Sequence, residues 1–181
     1  MSDRAGAPAA TLPFDISDQL SARLAQLGQE HCVFTRHSYT FALAVSAARE
    51  VLIGEASTPV PQAPPALAGV LNLRGEVLPL VKLDDLLDLP PRPYESDDQI
   101  LVVSYEGIDL GLVVDRVRDV RPINPNDIIP LPDTVPQHPL FKGAWETQSG
   151  TVILLDAKGI VSRAVAVVSD GFRDYSGTWT T

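Results

Sequence analysis

An all-β fold of two small barrels in a pseudo-twofold arrangement, with short helices at its margins, is the architecture this sequence predicts, and three observations carry it. From residue 31 onward the apolar residues fall into short runs separated by turn residues, with proline-rich stretches at 59–65 and 122–139, a pattern of strands and loops. The chain also repeats itself. Residues 33–51, VFTRHSYTFALAVSAAREV, align without a gap on residues 102–120, VVSYEGIDLGLVVDRVRDV, at an offset of 69. After a proline-rich loop in each copy, a second ungapped match follows at an offset of 74. It pairs Gly69 with Gly143, Leu71 with Trp145, Leu78 with Val152, Leu80 with Leu154, and Leu86-Leu87 with Ile160-Val161. About four or five strands per copy are enough to close a small barrel, with little interior left for a ligand. No helical layer is predicted between the strands, which argues against a parallel α/β sheet.

The elements follow in order. Residues 1–30 read as an extension holding a helix over 18–27. Ser17 caps it, Asp15 and Asp18 favour its positive end, Ile16, Leu20, Leu24 and Leu27 share one face, and Gly28 ends it. That face either packs on the main body or docks on a partner. The first barrel centres on 33–87 and the second on 102–161. The most distinctive segment, GVLNLRGEVLPLVKLDDLL at 69–87, reads as strand, tight turn at Arg74-Gly75, strand and short helix. Gly75 suits a turn that needs positive φ, as does the structural glycine Gly69 at the head of the segment. Pro79 cannot donate to a ladder, which places it on an edge or at a bulge. Asp84, Asp85 and Asp88 read as the solvated face of the short helix. Residues 169–181 read as a polar tail.

Composition removes several function classes. With 23 acids against 14 bases the formal charge of the 181 residues is -9, which repels phosphate backbones, so nucleic acid is not an expected partner. No apolar run approaches the roughly 20 residues a membrane helix needs. The start, Met1-Ser-Asp-Arg-Ala-Gly, lacks the basic and apolar regions of a secretory signal, so a cytoplasmic location is expected. The single cysteine, Cys32, excludes an internal disulfide and reads as a buried strand residue. No GxSxG, HExxH, GxxxxGK[ST] or GxGxxG motif is present. His31, His37 and His138 lie far apart in sequence and read as surface or capping residues. No catalytic residue, metal or cofactor is therefore expected.

The segment at 69–87 resembles the signature of CheW-like domains, a G-V-hydrophobic-N-hydrophobic-R-G core followed by an apolar strand containing proline. SAAREVL at 46–52, PVPQAPPALAG leading into the signature, and DLGLVVDRVRDV at 109–120 resemble the same family in the same order. The likeness covers about 31–168. It implies two intertwined, five-stranded SH3-like barrels with a shared apolar core. It also implies a non-catalytic adaptor in receptor arrays at the membrane. Such an adaptor joins the cytoplasmic tip of a chemoreceptor (a methyl-accepting chemotaxis protein) to the regulatory domain of a CheA-type histidine kinase. By the same resemblance, Glu50 and Arg74 form an ion pair at the receptor- and kinase-facing end of the first barrel. Val51, Asn72, Val114 and Asp115 are further candidates for the contact surface. One departure is Lys82, where the family commonly has Asp; the second copy keeps an acid there, Asp156. A stand-alone small-molecule sensor is the alternative, and it requires a sizeable cavity with convergent polar groups.

Overall fold

In the computed structural model, which describes residues 28–95 and 97–176, nearly every apolar run becomes a strand. The helix expected over 18–27, with Ser17, lies outside the described residues. The first copy supplies β1 (Gln29–Arg36), β2 (Tyr39–Ala44), β3 (Ala48–Ile53), β4 (Leu67–Leu73) and β5 (Glu76–Lys82), then the one-turn helix α1 (Leu83–Leu86). The second supplies β6 (Gln99–Tyr105), β7 (Ile108–Val114), β8 (Arg116–Ile123), the two-residue β9 (Ile128–Ile129), β10 (Phe141–Thr147) and β11 (Gly150–Leu155). It ends in the helix α2 (Ala157–Ser176).

The strands form two sheets, ordered β8-β1-β2-β11-β10-β9 and β3-β6-β7-β5-β4. This corrects the division into a barrel at 33–87 and a barrel at 102–161. Each sheet takes a hairpin from one copy and three long strands from the other. The chain leaves one sheet for the other between Ala44 and Ala48, and again at Asp115. An offset between repeats reports that two units are alike. It is silent on which strand pairs with which, because exchanged and unexchanged hairpins have the same local pattern.

The ladders show the pseudo-twofold directly. β2 runs parallel to β11 with Ala42 opposite Leu154, and β7 runs parallel to β5 with Gly111 opposite Leu80, which are matched positions of the two copies. The register shift between Ala48 and Glu50 on β3 recurs where β8 passes from Val117 to Asp119. That between Leu67 and Gly69 recurs between Phe141 and Gly143. Bulges at equivalent places re-aim equivalent strands.

Three apolar layers result. Leu71, Leu78, Leu80, Ile100, Val102 and Val113 fill one barrel; Val33, Ala42, Ile123 and Val152 fill the other. Between the barrels lies a larger layer that includes Phe34, Phe41, Leu43, Leu101, Val103, Leu110, Leu112 and Val114. Strands β1, β2, β6 and β7 are buried on both faces, which is why runs such as ILVV and LGLVV do not alternate with polar residues.

Two further expectations are corrected. Residues 169–176 continue α2 as helix instead of trailing as a tail, and α2, with 20 residues, is not short. Its Ile160, Val161 and Ala164 pack on the shared layer, and near its end Gly171 lies so close to Pro64 that a Cβ would stand 2.2 Å from the proline Cβ. Pro79 sits in an interior strand without a bulge. It is tolerated because the ladder between β5 and β7 begins only at Leu80, so the missing N–H costs no ladder bond there. Cys32 is buried, as the sequence predicts, and burial, followed by the charge of Asp119, pushes its thiol upward.

Gly111 tests the packing where the two copies meet. A Cβ there would lie 2.6 Å from both Ile100 Cγ2 and Leu80 Cδ2, whereas its counterpart Ala42 carries one without exposure. Gly111→Ala should lower unfolding free energy by about 1–3 kcal/mol in urea titrations; an unchanged midpoint would refute the tight packing.

Candidate partner-docking rim

The hairpin joining β4 to β5 turns through Arg74 (φ 55) and Gly75 (φ 93). Positive φ at both central residues is the two-residue geometry whose twist matches the flanking strands. Asn72 Oδ1 accepts the Gly75 N–H at 2.8 Å, so the N-x-R-G order has a local cause: the amide closes the turn that projects the arginine. Asn72, expected on the contact surface, is exposed and holds the hairpin. Gly69 is required by close approach. Its φ is +153, a Cβ would lie 2.8 Å from the Thr58 carbonyl oxygen, and Thr58 and Val70 exchange backbone hydrogen bonds beside it.

Arg74 Nη2 donates to Glu50 Oε2 at 2.9 Å, with side chains 77% and 28% exposed respectively. Glu50 is delivered by the bulge at Arg49 on the edge strand β3. Arg49, Leu73, Glu76 and Asp109 line an open groove around the pair, with Arg49 Nε 3.9 Å from Asp109 Oδ1. Large apolar side chains stand exposed on the same strands: Val51 and Ile53 on β3, and Val77 on β5 across from Asn72. The rim therefore combines a fixed ion pair with apolar surface on an open sheet edge.

Val114 and Asp115 do not join this rim. Val114 is fully buried in the shared layer. Asp115 belongs to an ion network built around Arg36, which is 0% exposed. Arg36 Nε and Nη2 donate to Asp84 Oδ1 and Oδ2 at 2.7 and 2.5 Å, and Nη1 donates to Asp115 Oδ1 at 3.0 Å. Asp98 stands 3.6 Å from Nη1. Arg92 also pairs with Asp98 and with Asp115, and His37 Nε2 lies 2.9 Å from Asp84 Oδ1. Burial opposes the charge on Asp84, but the Arg36 hydrogen bonds and charge, with His37, outweigh it and hold the carboxyl below its usual range. Burial likewise opposes the charge on Arg36, and Asp84, Asp98 and Asp115 hold its guanidinium above its usual range.

Asp84 is thus no solvated helix acid. Of the histidines, His31 is buried and His37 is half-buried against Asp84, whereas His138 accepts the Leu140 N–H on its Nδ1 at 3.2 Å, a capping role as the sequence predicts. A signal for the network was present in the period-two pattern of β1. Cys32, Phe34 and Arg36 share one face, and the first two belong to the apolar layer. Nothing in sequence spacing marks Asp84, Asp98 and Asp115 as its partners.

Among the described residues, no group of three or more His, Cys, Asp and Glu is set to hold a metal ion, and no helix is long and apolar enough to cross a membrane.

Comparison with known proteins agrees with the geometry. The model of a family described as CheW-like domain matches residues 30–165. The chemotaxis protein CheW of Bacillus subtilis (strain 168) is 30% identical over 108 residues, 60% of this chain and 69% of that protein. Chemotaxis protein CheW of Rhizobium meliloti (strain 1021) is 34% identical over 106 residues, 59% and 68% of the respective chains. The crystal structure of the scaffolding protein TtCheW from Thermoanaerobacter tengcongensis matches with a TM-score of 0.63 and 28% identity, over 71% of this chain and 89% of that one.

Acid sensitivity should trace to Asp84. Its folded pKa lies below the ordinary aspartate value of 3.8, so its contribution is complete above that value and is lost as pH falls through the folded pKa. Asp84→Asn, which leaves Arg36 short of its main partner, should cost about 3–5 kcal/mol at pH 7 and flatten the acid limb of a stability-versus-pH curve. Asp88→Asn, at an exposed pair with Arg163, should cost under about 1 kcal/mol. Equal losses in urea titrations of the two variants would contradict this assignment.

Proposed function

The chain belongs to the CheW-like domain family, and from that premise we propose that it is a non-catalytic adaptor of bacterial chemosensory signalling, coupling chemoreceptors to a CheA-type histidine kinase. Its relatives are named chemotaxis proteins, and its structural neighbour is named a scaffolding protein. The receptor's cytoplasmic tip and the kinase's regulatory domain are the proposed partners, which places the adaptor in the cytoplasm against membrane-bound arrays.

The observation that carries the reading is the Arg74–Glu50 rim. An ion pair so exposed contributes about 0–1 kcal/mol to folding, yet a dedicated turn, with Asn72 closing it, positions the arginine. On the other face of the edge strand that carries Glu50, Val51 and Ile53 leave apolar surface, and the strand leaves ladder groups, for a partner. Both barrels are filled by their own side chains, which disfavours a sensor that encloses a small molecule.

Binding measurements on the rim variants separate docking from folding. Arg74→Glu should leave the melting temperature nearly unchanged and weaken binding to the cognate receptor or kinase at least about tenfold, since loss of an interface charge can cost about 2–5 kcal/mol. With Glu50→Arg added, partial recovery would mean that the pair sets the geometry of the rim. No recovery would mean that each residue meets its own partner atom. Wild-type affinity in Arg74→Glu would remove the rim from the docking surface.

A further inference from the structure

The pseudo-twofold also relates the Arg74–Glu50 groove to a second groove, on the other barrel. It is the seam between β8 and the β10–β11 hairpin, an open space of about 360 Å3 lined by Arg118, Asp119, Arg121, Trp145, Val33 and Thr40 among others. Position by position, Arg118 stands for Arg49, Asp119 for Glu50, Thr40 for Asp109, Gly150 for Glu76 and Gln148 for Arg74. The position recurs while the charge does not. The first groove sets two arginines against three carboxylates; this one sets two arginines against one.

The consequence falls on Arg118. Its counterpart Arg49 has Asp109 within 3.9 Å, but Arg118 faces the groove with Thr40 and makes no ion pair among the described residues. Asp119 is turned to Arg121, whose Nε donates to it at 2.7 Å, so the remaining donors of that guanidinium are open to a ligand. Trp145 forms an apolar wall, packed on the cluster of Val33, Ala42, Ile123 and Val152. β8 is an outermost strand of its sheet, and Arg116, Arg118, Val120 and Arg121 are exposed along it. Val120 is 54% exposed.

We propose that this seam docks an acidic, extended segment of a protein partner. Its carboxylates would meet Arg118 and Arg121, an apolar side chain would lie against Trp145, and its backbone would run along the open edge of β8. The overall charge of -9 does not forbid this, because charges beyond about 8 Å are screened at physiological salt. The open edge of β8, which offers ladder groups to another backbone, favours a peptide over a nucleic acid. The site lies on the opposite barrel from Arg74 and does not depend on the adaptor reading.

Trp145 supplies the test. With Trp179→Phe it becomes the only tryptophan of the two in the chain, and its fluorescence can follow titration of the full chain with an eight-residue capped peptide of alternating glutamate and valine. Alternating lysine and valine serves as control. The acidic peptide should bind at least about tenfold more tightly than the control and weaken as salt is raised. Backbone NMR shifts should gather on β8 and the β10–β11 hairpin. Arg118→Glu with Arg121→Glu should lower its affinity at least about tenfold, the milder Arg118→Gln should lower it partially with an unchanged melt, and Arg74→Glu should leave it unaltered. Equal binding of both peptides, full affinity in the Arg118 variants, or shifts centred on Arg74 would each overturn the proposal. So would sedimentation showing that a second copy fills the groove, through dimerisation abolished by the same substitutions.

Discussion

Phe34, Phe41, Leu101, Leu110 and Leu112 point away from the barrels their own strands help to build, and all five are buried. They can be buried only against the equivalent face of the other barrel. The shared layer is therefore the constraint on which the rest depends. A hairpin apolar on both sides has to lie between two partners, and exchange of hairpins between the copies ties both barrels to that layer covalently as well as by contact. A small barrel alone would bury too little apolar surface to be comfortably stable; two barrels back to back share one large core. Helix α2 adds Ile160, Val161 and Ala164 to its margin.

Within this near-symmetric frame the Arg36 network is the asymmetric part. By the repeat offsets, Arg36 corresponds to Tyr105, Asp84 to Lys158 and Asp115 to Ser46, so the mirror position has no such set. A buried guanidinium costs several kcal/mol to desolvate, and its carboxylates offset that cost only when all are in place. The network is thus weak as a source of stability and strong as a condition on arrangement. Were the two hairpins interchanged, Arg36 would face Lys158 in place of Asp84.

The same asymmetry carries through to the surface. Equivalent bulges on β3 and β8 present equivalent arginines, Arg49 and Arg118, at equivalent seams, but the side chains around them have diverged. One seam carries the Arg74–Glu50 pair amid carboxylates, and the other carries Arg118, which makes no ion pair among the described residues, beside Trp145. A duplicated scaffold in this way carries two grooves at equivalent positions with different charge, joined by one shared apolar core. That combination suits a part whose work is to position other proteins.

What the sequence determined by itself is whatever depends on neighbours along the chain or on the repeat. The strands, the duplication and the turn at Arg74-Gly75 follow from period-two patterning, glycine placement and alignment of one copy on the other, whereas the nearness of Glu50 to Arg74 is implied only by the resemblance to CheW-like domains. Tertiary structure alone decided the exchange of hairpins, the burial of Val114, and the gathering of Asp84, Asp98 and Asp115 about Arg36. It also turned residues 169–176 into helix. Each of these rests on contacts between residues far apart in sequence: Arg36 and Asp115 are separated by 79 positions. A carboxylate at a helix start looks the same in sequence whether it faces water or an arginine, because local propensity is blind to the partner that folding brings across the core.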